Sequence, residues 1–203
     1  MTDSITLSEL PPAEFRSAIG RLVAVYAAAM RPPTRMLSGR ESILDRHAGS
    51  PGFRALVALA PPREAGTGQA EDASPVLAGF IYGFHGQAGQ WWHDTVAGAL
   101  ATKYPPLAAT WLADSFEVAE LHVLPDYQGA GIGRRLLLTL TAERGEQTAV
   151  LSTQDAESRA RRLYRSVGFS DLLTGFRFSG GDPPYAVMGA TLPLRAPADG
   201  HGA

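Results

Sequence analysis

Apolar positions recur along the chain with two different periods, and the changes between them mark its elements. Ile5 to Leu10 alternates apolar with polar residues, the period of a short strand. From Ala13 to Met30 the spacing becomes helical, with Phe15, Ile19, Leu22, Val23 and Tyr26 at three- and four-residue steps. Arg31-Pro32-Pro33 stops that helix. Arg40 to His47 predicts a shorter helix ended near Gly49, and Met30 to Leu37 between the two is irregular. Phe53 to Ala60 is a mostly apolar strand, and Pro61 to Pro75 is a polar loop without periodicity. Val76 to Phe84 is the next strand, with Phe80, Tyr82 and Phe84 on one face. Gly79 and Gly83 within it mark places where another backbone or a ligand comes close.

The middle of the chain is less regular. His85 to Asp114 carries Trp91-Trp92, a weak helix over Thr95 to Ala101, and a second short helix from Pro105-Pro106 to Leu112. Structureless loops of this length are uncommon, and paired tryptophans argue for order. The two rings either pin the insert to the core or wall a substrate site. Ser115 to Leu124 is the central strand, but its apolar series slips: Phe116 and Val118 lie in one phase, Leu121 and Val123 in the other. One extra residue, a β-bulge at Ala119-Glu120, produces such a slip.

Ile132, Leu136, Leu137 and Leu140 line a helix predicted to end near Gly145. Ala149 to Thr153 follows as a strand parallel to the central one, because a helix crosses between them. Glu157 to Val167 is helical, with Ala160, Leu163, Tyr164 and Val167 as its apolar face. Asp155 and Glu157 stand at its N-terminal end and Arg165 in its last turn, as the dipole favours, and Gly168-Phe169 closes it. Leu172 to Phe178 and Tyr185 to Leu192 predict a final antiparallel pair joined through Gly180 to Pro184, before a Pro/Gly/Ala tail from Arg195 expected to be disordered.

Composition narrows the class. The 203 residues fit one domain over 1–194 with an insertion at about 86–114. A net charge of −2 gives no electrostatic ground for binding nucleic acid or anionic lipid. No apolar run reaches the roughly 20 residues that span a bilayer, and the N-terminus lacks the features of a signal peptide, so a cytoplasmic location is expected. The absence of cysteine excludes disulfides, thiolate-ligated metals and a cysteine acyl-enzyme. His47, His85, His93, His122 and His201 show no metal-ligand spacing, and no metal is expected.

The chemistry concentrates just after the central strand, in Gln128-Gly129-Ala130-Gly131-Ile132-Gly133-Arg134-Arg135. Alternating glycines let the backbone turn tightly at the mouth of a helix, where the first N–H groups lack partners and the dipole is positive. Such a turn holds phosphate. Two arginines in a first turn oppose the dipole by about 0.3–1 kcal/mol each unless an anion sits there. A Walker A loop does not fit, and Arg134 stands where a dinucleotide fingerprint needs its third glycine. The pattern that fits is Gln/Arg-x-x-Gly-x-Gly/Ala after a strand ending in Val-x-Pro. There the chain resembles the GCN5-related N-acetyltransferases, the GNAT superfamily. Arg159-Ala160-Arg161-Arg162-Leu163-Tyr164, with Gly168-Phe169, resembles that family's second signature, although Glu157 stands where asparagine is common.

The resemblance implies an α/β fold: a single mixed sheet with flanking helices, whose bulged central strand splays from its parallel neighbour. It implies acetyl-CoA as cosubstrate, with its pyrophosphate at Gln128, Gly129, Ala130, Gly131, Ile132, Gly133 and Arg134. The pantetheine arm would lie on the main chain of Leu121, His122 and Val123, where an N–H near Val123 polarises the thioester carbonyl. Asp155 or Ser158 would replace the missing asparagine, and Tyr164 would protonate the leaving thiolate. The segments around the first two helices would shape the acceptor site, for a small-molecule or peptide amine.

A free primary amine titrates near about 10, so a base is needed, and a carboxylate can take the proton. Glu117 and Glu120 flank the expected bulge. Glu117 stands at the offset from Gln128 where several GNAT enzymes carry their base, and Glu120 directly precedes the pantetheine-binding stretch. His122 is the weaker third candidate. The rival readings are an acyl-CoA-binding sensor or scaffold without catalysis, and a nucleotide-binding α/β protein against which the failed fingerprints count. Pairing of two copies through the last strands is left open.

Overall fold

The computed structural model describes residues 5–34, 37–61, 74–103, 105–178 and 183–195. Most of the polar loop after Pro61, part of the Met30 to Leu37 segment, part of the Gly180 to Pro184 connection and nearly all of the tail lie outside the described residues. The strands are β1 (Thr6–Glu9), β2 (Arg54–Ala60), β3 (Val76–Gly86), β4 (Ser115–Val123), β5 (Thr148–Gln154), β6 (Ser170–Phe176) and β7 (Tyr185–Thr191). They form one mixed sheet in the order β1-β2-β3-β4-β5-β7-β6. The helices are α1 (Pro12–Met30), α2 (Arg40–His47), α3 (Trp91–Lys103), α4 (Pro105–Leu112), α5 (Ile132–Thr141) and α6 (Arg159–Ser166). By their contacts the residues divide into two compact units, Met1–Gly83 with Glu120–Leu140, and Phe84–Ala119 with Thr141–Ala203.

In the first unit β1, β2 and β3 run as an antiparallel meander, with Thr6 opposite Leu59 and Val57 opposite Phe80. The register slips between Ala58 and Leu59, which leaves Ala78 of β3 as the extra residue. Its carbonyl accepts the N–H of Leu124 at 2.8 Å. A Cβ at Gly79 would stand 2.8 Å from the His122 carbonyl, so this glycine is where two backbones meet. Helix α1 buries Phe15, Ile19, Leu22, Val25 and Tyr26. Val25 replaces the expected Val23 because the stripe drifts with the 3.6-residue turn.

In the second unit β5 pairs β7, and β6 pairs β7, both antiparallel. The parallel ladder of β4 and β5 covers Ser115–Glu117 against Thr148–Val150, although β4 continues to Val123 and β5 to Gln154. Residues Ser115 to Val118 are all buried, so this part of β4 is covered on both faces and need not alternate. The insert is two ordered helices, and α3 starts at Trp91, four residues before the expected Thr95. Trp92 packs against the cluster of Val96, Leu100, Leu112, Val150 and Val187, and its Nε1 donates to Ser152 Oγ at 3.1 Å. Trp92 therefore pins the insert, while Trp91 is 67% exposed beside Phe178.

Trp111 of α4 covers Gly189 of β7 so closely that a Cβ there would stand 2.7 Å from Trp111 Cε3 and 2.9 Å from Leu172 Cδ1. Gly189→Ala should destabilise the protein by roughly 1–3 kcal/mol, as overpacking does. Denaturant unfolding of the variant beside wild type measures it, and equal midpoints would refute the tight contact.

Candidate active site

Chain geometry builds the cradle from the end of β4. Leu124 leads into a single 3-10 turn over Pro125–Tyr127, closed by Tyr127 N–H to Leu124 O at 2.9 Å and Gln128 N–H to Pro125 O at 3.2 Å. Gln128 Nε2 donates back to Val123 O at 3.0 Å, which ties the turn to the strand. Gly129 and Gly131 adopt φ of 84° and 76°, the left-handed region that favours glycine. The N–H of Arg135 donates to Gly131 O at 3.0 Å and closes the first turn of α5. The N–H groups of Ile132 and Gly133 then have no acceptor within the helix.

A Cβ on Gly129 or Gly131 would meet nothing within 4 Å, and Gln128, Gly129 and Ala130 are exposed. Open space over bare N–H groups at a helix mouth fits a pyrophosphate. Arg134 is half-buried in the first turn, while an Arg135 guanidinium nitrogen donates to Ile5 O at 3.1 Å and fastens α5 to the segment before β1. Helix α5 ends at Thr141, short of the expected Gly145; Glu143 takes a left-handed φ of 59° soon after.

Upstream of the cradle lies a buried polar network in the same unit. Glu120, 8% exposed, accepts from the Tyr82 hydroxyl at 2.9 Å and from an Arg40 guanidinium nitrogen at 2.8 Å, both on Oε1. Its Oε2 lies 3.2 Å from His122 Nε2. His47 Nδ1 stands 3.1 Å from the Tyr82 hydroxyl. Arg40 lies over the Tyr26 ring at 3.7 Å, and His122 meets Tyr26 and Phe80 at 5.1 and 5.4 Å between ring centres. Burial alone would raise the Glu120 carboxyl, but the His122 bond, the Arg40 charge and the Tyr82 bond together hold it below the usual carboxylate range. Glu120 is thus an ionised, well-held carboxylate. His47 is pushed down by burial, which with Arg46 and Arg40 outweighs the attraction of Glu120.

Glu117 is the opposite case. It is 6% exposed in the second unit, its Oε2 is buried, and that atom has no hydrogen-bond partner among the described residues. Burial pushes its carboxyl up to about 8. Tyr164 is buried in α6, and burial pushes its hydroxyl up to about 12, so it stays protonated at any working pH. Its place is fixed by the end of its helix. Phe169 N–H donates to Tyr164 O and Gly168 N–H to Arg165 O, with Gly168 at φ 106°. That is a Schellman motif, and the Phe169 ring packs on Tyr164 at 5.8 Å.

The start of α6 departs from expectation. Ser158 is the N-cap, its Oγ accepting the Arg161 N–H at 3.1 Å, which leaves its hydroxyl hydrogen and one lone pair for a ligand. Asp155 bonds Arg161 and accepts Gly175 N–H at 2.7 Å. The buried face runs through Arg161, Tyr164 and Val167, while Ala160 is exposed. An arginine can hold that inward position because Asp155 and Asp171 neutralise it. Arg165 pairs with Glu157 at 2.7 Å and Arg159 and Arg162 are exposed, so this helix face is largely structural.

With the geometry in place, similarity to known proteins becomes informative. A family model described as an acetyltransferase (GNAT) domain matches residues 87–171. A GCN5-like protein acetyltransferase of Mycobacterium tuberculosis is 36% identical over 94% of this chain and 100% of its own length. The chain belongs to the GNAT acetyltransferase family. Solved structures extend the likeness of fold. Arabidopsis thaliana NAA60 in complex with a bisubstrate analogue aligns at TM-score 0.62 and 15% identity, over 93% of this chain and 99% of that one. The NatC complex bound to Gag peptide and CoA aligns at TM-score 0.55 and 15% identity, with the same coverage.

Of the residues singled out from the sequence, Gln128, Gly129, Ala130 and Gly131 make the turn, and Ile132, Gly133 and Arg134 begin α5 directly after it. Leu121, His122 and Val123 are half-buried at the end of β4. Nothing local in the sequence couples Arg40 and Tyr82 to Glu120, or His47 to Tyr82, and these contacts were missed. Among the described residues no cluster of metal-binding side chains is present, and no helix is long and apolar enough to cross a membrane.

Glu117 makes a testable contribution to stability. Its folded-state value lies above its unfolded one, so the folded protein binds the extra proton and stability is lost as pH rises from about 4.5 to about 8. Glu117→Gln should remove that loss and raise Tm at pH 8 relative to wild type, with a much smaller gain at pH 5. Parallel Tm-against-pH curves for the two proteins would refute the buried, unpartnered carboxyl.

Proposed function

We propose that this chain transfers an acetyl group from acetyl-CoA to a primary amine of a protein acceptor, by direct attack while both substrates are bound. The observation that carries the reading is the turn at Gly129 and Gly131, which follows β4 and its 3-10 turn, opens α5 and leaves helix N–H groups under open space. The protein acceptor rests on the full-length similarity to a protein acetyltransferase. That similarity runs through the residues of both units, and the family model also draws on both, which supports residues 1–194 acting as one enzyme.

Bound acetyl-CoA supplies an activated acyl carbonyl and a thiolate leaving group. Gln128 to Arg134 hold its pyrophosphate, the main chain of Leu121 to Val123 holds the pantetheine arm, and the N–H near Val123 polarises the carbonyl. Ser158 offers its hydroxyl hydrogen to the cofactor arm. Glu117 takes a proton from the attacking amine, and a carboxyl that titrates near about 8 is well matched to that task. Tyr164, protonated throughout, gives its proton to the departing sulfur.

Thiol release from acetyl-CoA over a panel of lysine peptides, free peptide N-termini and small amines such as aminoglycosides tests the reading. Release is expected with the peptides, with kcat rising as pH passes about 8. Glu117→Gln should lose that rising limb and about 100-fold or more of kcat. Tyr164→Phe should lower kcat while CoA affinity stays near wild type. CoA binding without thiol release from any amine would establish the sensor reading instead.

A further inference from the structure

An indole ring left in water exposes a large apolar surface, and the second unit has one at Trp91, which is 67% exposed. Helix α3 does not depend on it for anchorage, which Trp92, Val96 and Leu100 supply. Nor is Trp91 an isolated ring. It meets Phe178 at 5.4 Å between centres, and Phe178 meets Phe176 at 4.9 Å and Tyr185 at 5.4 Å. Phe176 and Phe178 pack on the same core cluster that seats α3, so the group is held in place. Exposed apolar surface that joins several rings, rather than one residue, favours contact with a partner.

The register puts these rings on the face of the sheet that carries Glu117. Glu117 opposes Val150 in the parallel ladder, so the two side chains share a face. Ser152 and Gln154 follow on that face of β5, and Val187 and Tyr185 stand opposite them on β7. Phe176 lies opposite Tyr185 on β6. Val150 and Val187 pack in the cluster with α3 and α4, so the insert covers this same face. Every residue of the series belongs to the second unit. From Val150 to Gln154 the strand advances by about 13 Å, a distance that an extended peptide covers in about four residues.

We propose that Trp91, with Phe178 and Tyr185, forms a subsite for an apolar side chain of the acceptor protein, within about four residues of the amine that reacts at Glu117. The proposal rests on the acetyltransferase reading above and on the role given there to Glu117. The rings offer carbon surface. An apolar side chain gains by covering them, whereas a carboxylate would lose hydration with nothing to replace it. Because the rings are held beforehand, little side-chain freedom is lost on contact. The subsite takes no part in proton transfer, so it acts on the binding of the acceptor and not on turnover.

Peptide acceptors that carry Leu, Phe, Ala or Asp at the second to fifth positions from the reacting amine test the subsite. Wild type should favour the Leu and Phe peptides over the Asp peptides by about tenfold or more in kcat/KM. Trp91→Ala should raise KM for the Leu and Phe peptides by a similar factor at unchanged kcat, and leave KM for acetyl-CoA and for the Ala peptides near wild type. Trp91→Phe should recover most of the loss. An unchanged KM for the Leu and Phe peptides in Trp91→Ala, or an equal rise for the Leu and Ala peptides, would overturn the subsite alone. So would a wild type without preference among the peptides, or one active on small amines and on none of the peptides. Absence of thiol release by wild type with every amine would overturn the acetyltransferase reading, and the subsite with it.

Discussion

A carboxylate buried in a protein interior loses several kcal/mol of solvation unless charge and hydrogen bonds replace it. In the first unit that constraint falls on Glu120, and it joins elements remote in sequence. Arg40 comes from the first residue of α2, Tyr82 from β3 and His122 from β4 itself. Arg40 is in turn seated on Tyr26 of α1 at 3.7 Å, so the charge that neutralises Glu120 also fixes where α2 lies against α1. Fold and chemistry are therefore one requirement in this unit. A shift of α2 would strand a buried charge, which is why an eight-residue helix with little apolar surface has a defined place.

The second unit meets the same constraint with the opposite sign. Arg161, 5% exposed, lies between Asp155 after β5 and Asp171 on β6, and Asp155 also accepts from Gly175. These bonds anchor the first turn of α6, while the Schellman motif and the Phe169 ring anchor its last. Tyr164 sits between the two anchors. A side chain held this way has little motional freedom to lose, which suits the proton-donor role proposed for Tyr164.

Much of this was legible in the sequence because it is local. The bounds of α2, the order of strands and helices, the left-handed turn at Gly129 and Gly131, and the cap at Gly168 all follow from periodicity or from glycine at a required φ. What stayed hidden depends on partners far along the chain. Nothing near Arg40 or His47 signals Glu120. The inward place of Arg161 was hidden for the same reason: an arginine reads as surface until two aspartates are known to meet it, and Ala160 was read as core in its stead. Trp91 and Trp92 are identical letters with opposite fates, decided by whether Ser152 and the Val96 cluster lie within reach.

The two glutamates of β4 show how environment assigns roles to equal side chains. Glu117 has no counter-charge or donor on Oε2, and burial leaves it favouring the neutral form. Glu120 has three partners, and they more than offset the same burial. Groups of one type whose surroundings push them apart are the usual basis for dividing proton-transfer tasks. A group that binds its proton near neutral pH can hold it until the sulfur needs one. A group held ionised stays an acceptor and a counter-charge, and Glu120 serves as both for the Tyr82 hydroxyl and the Arg40 guanidinium.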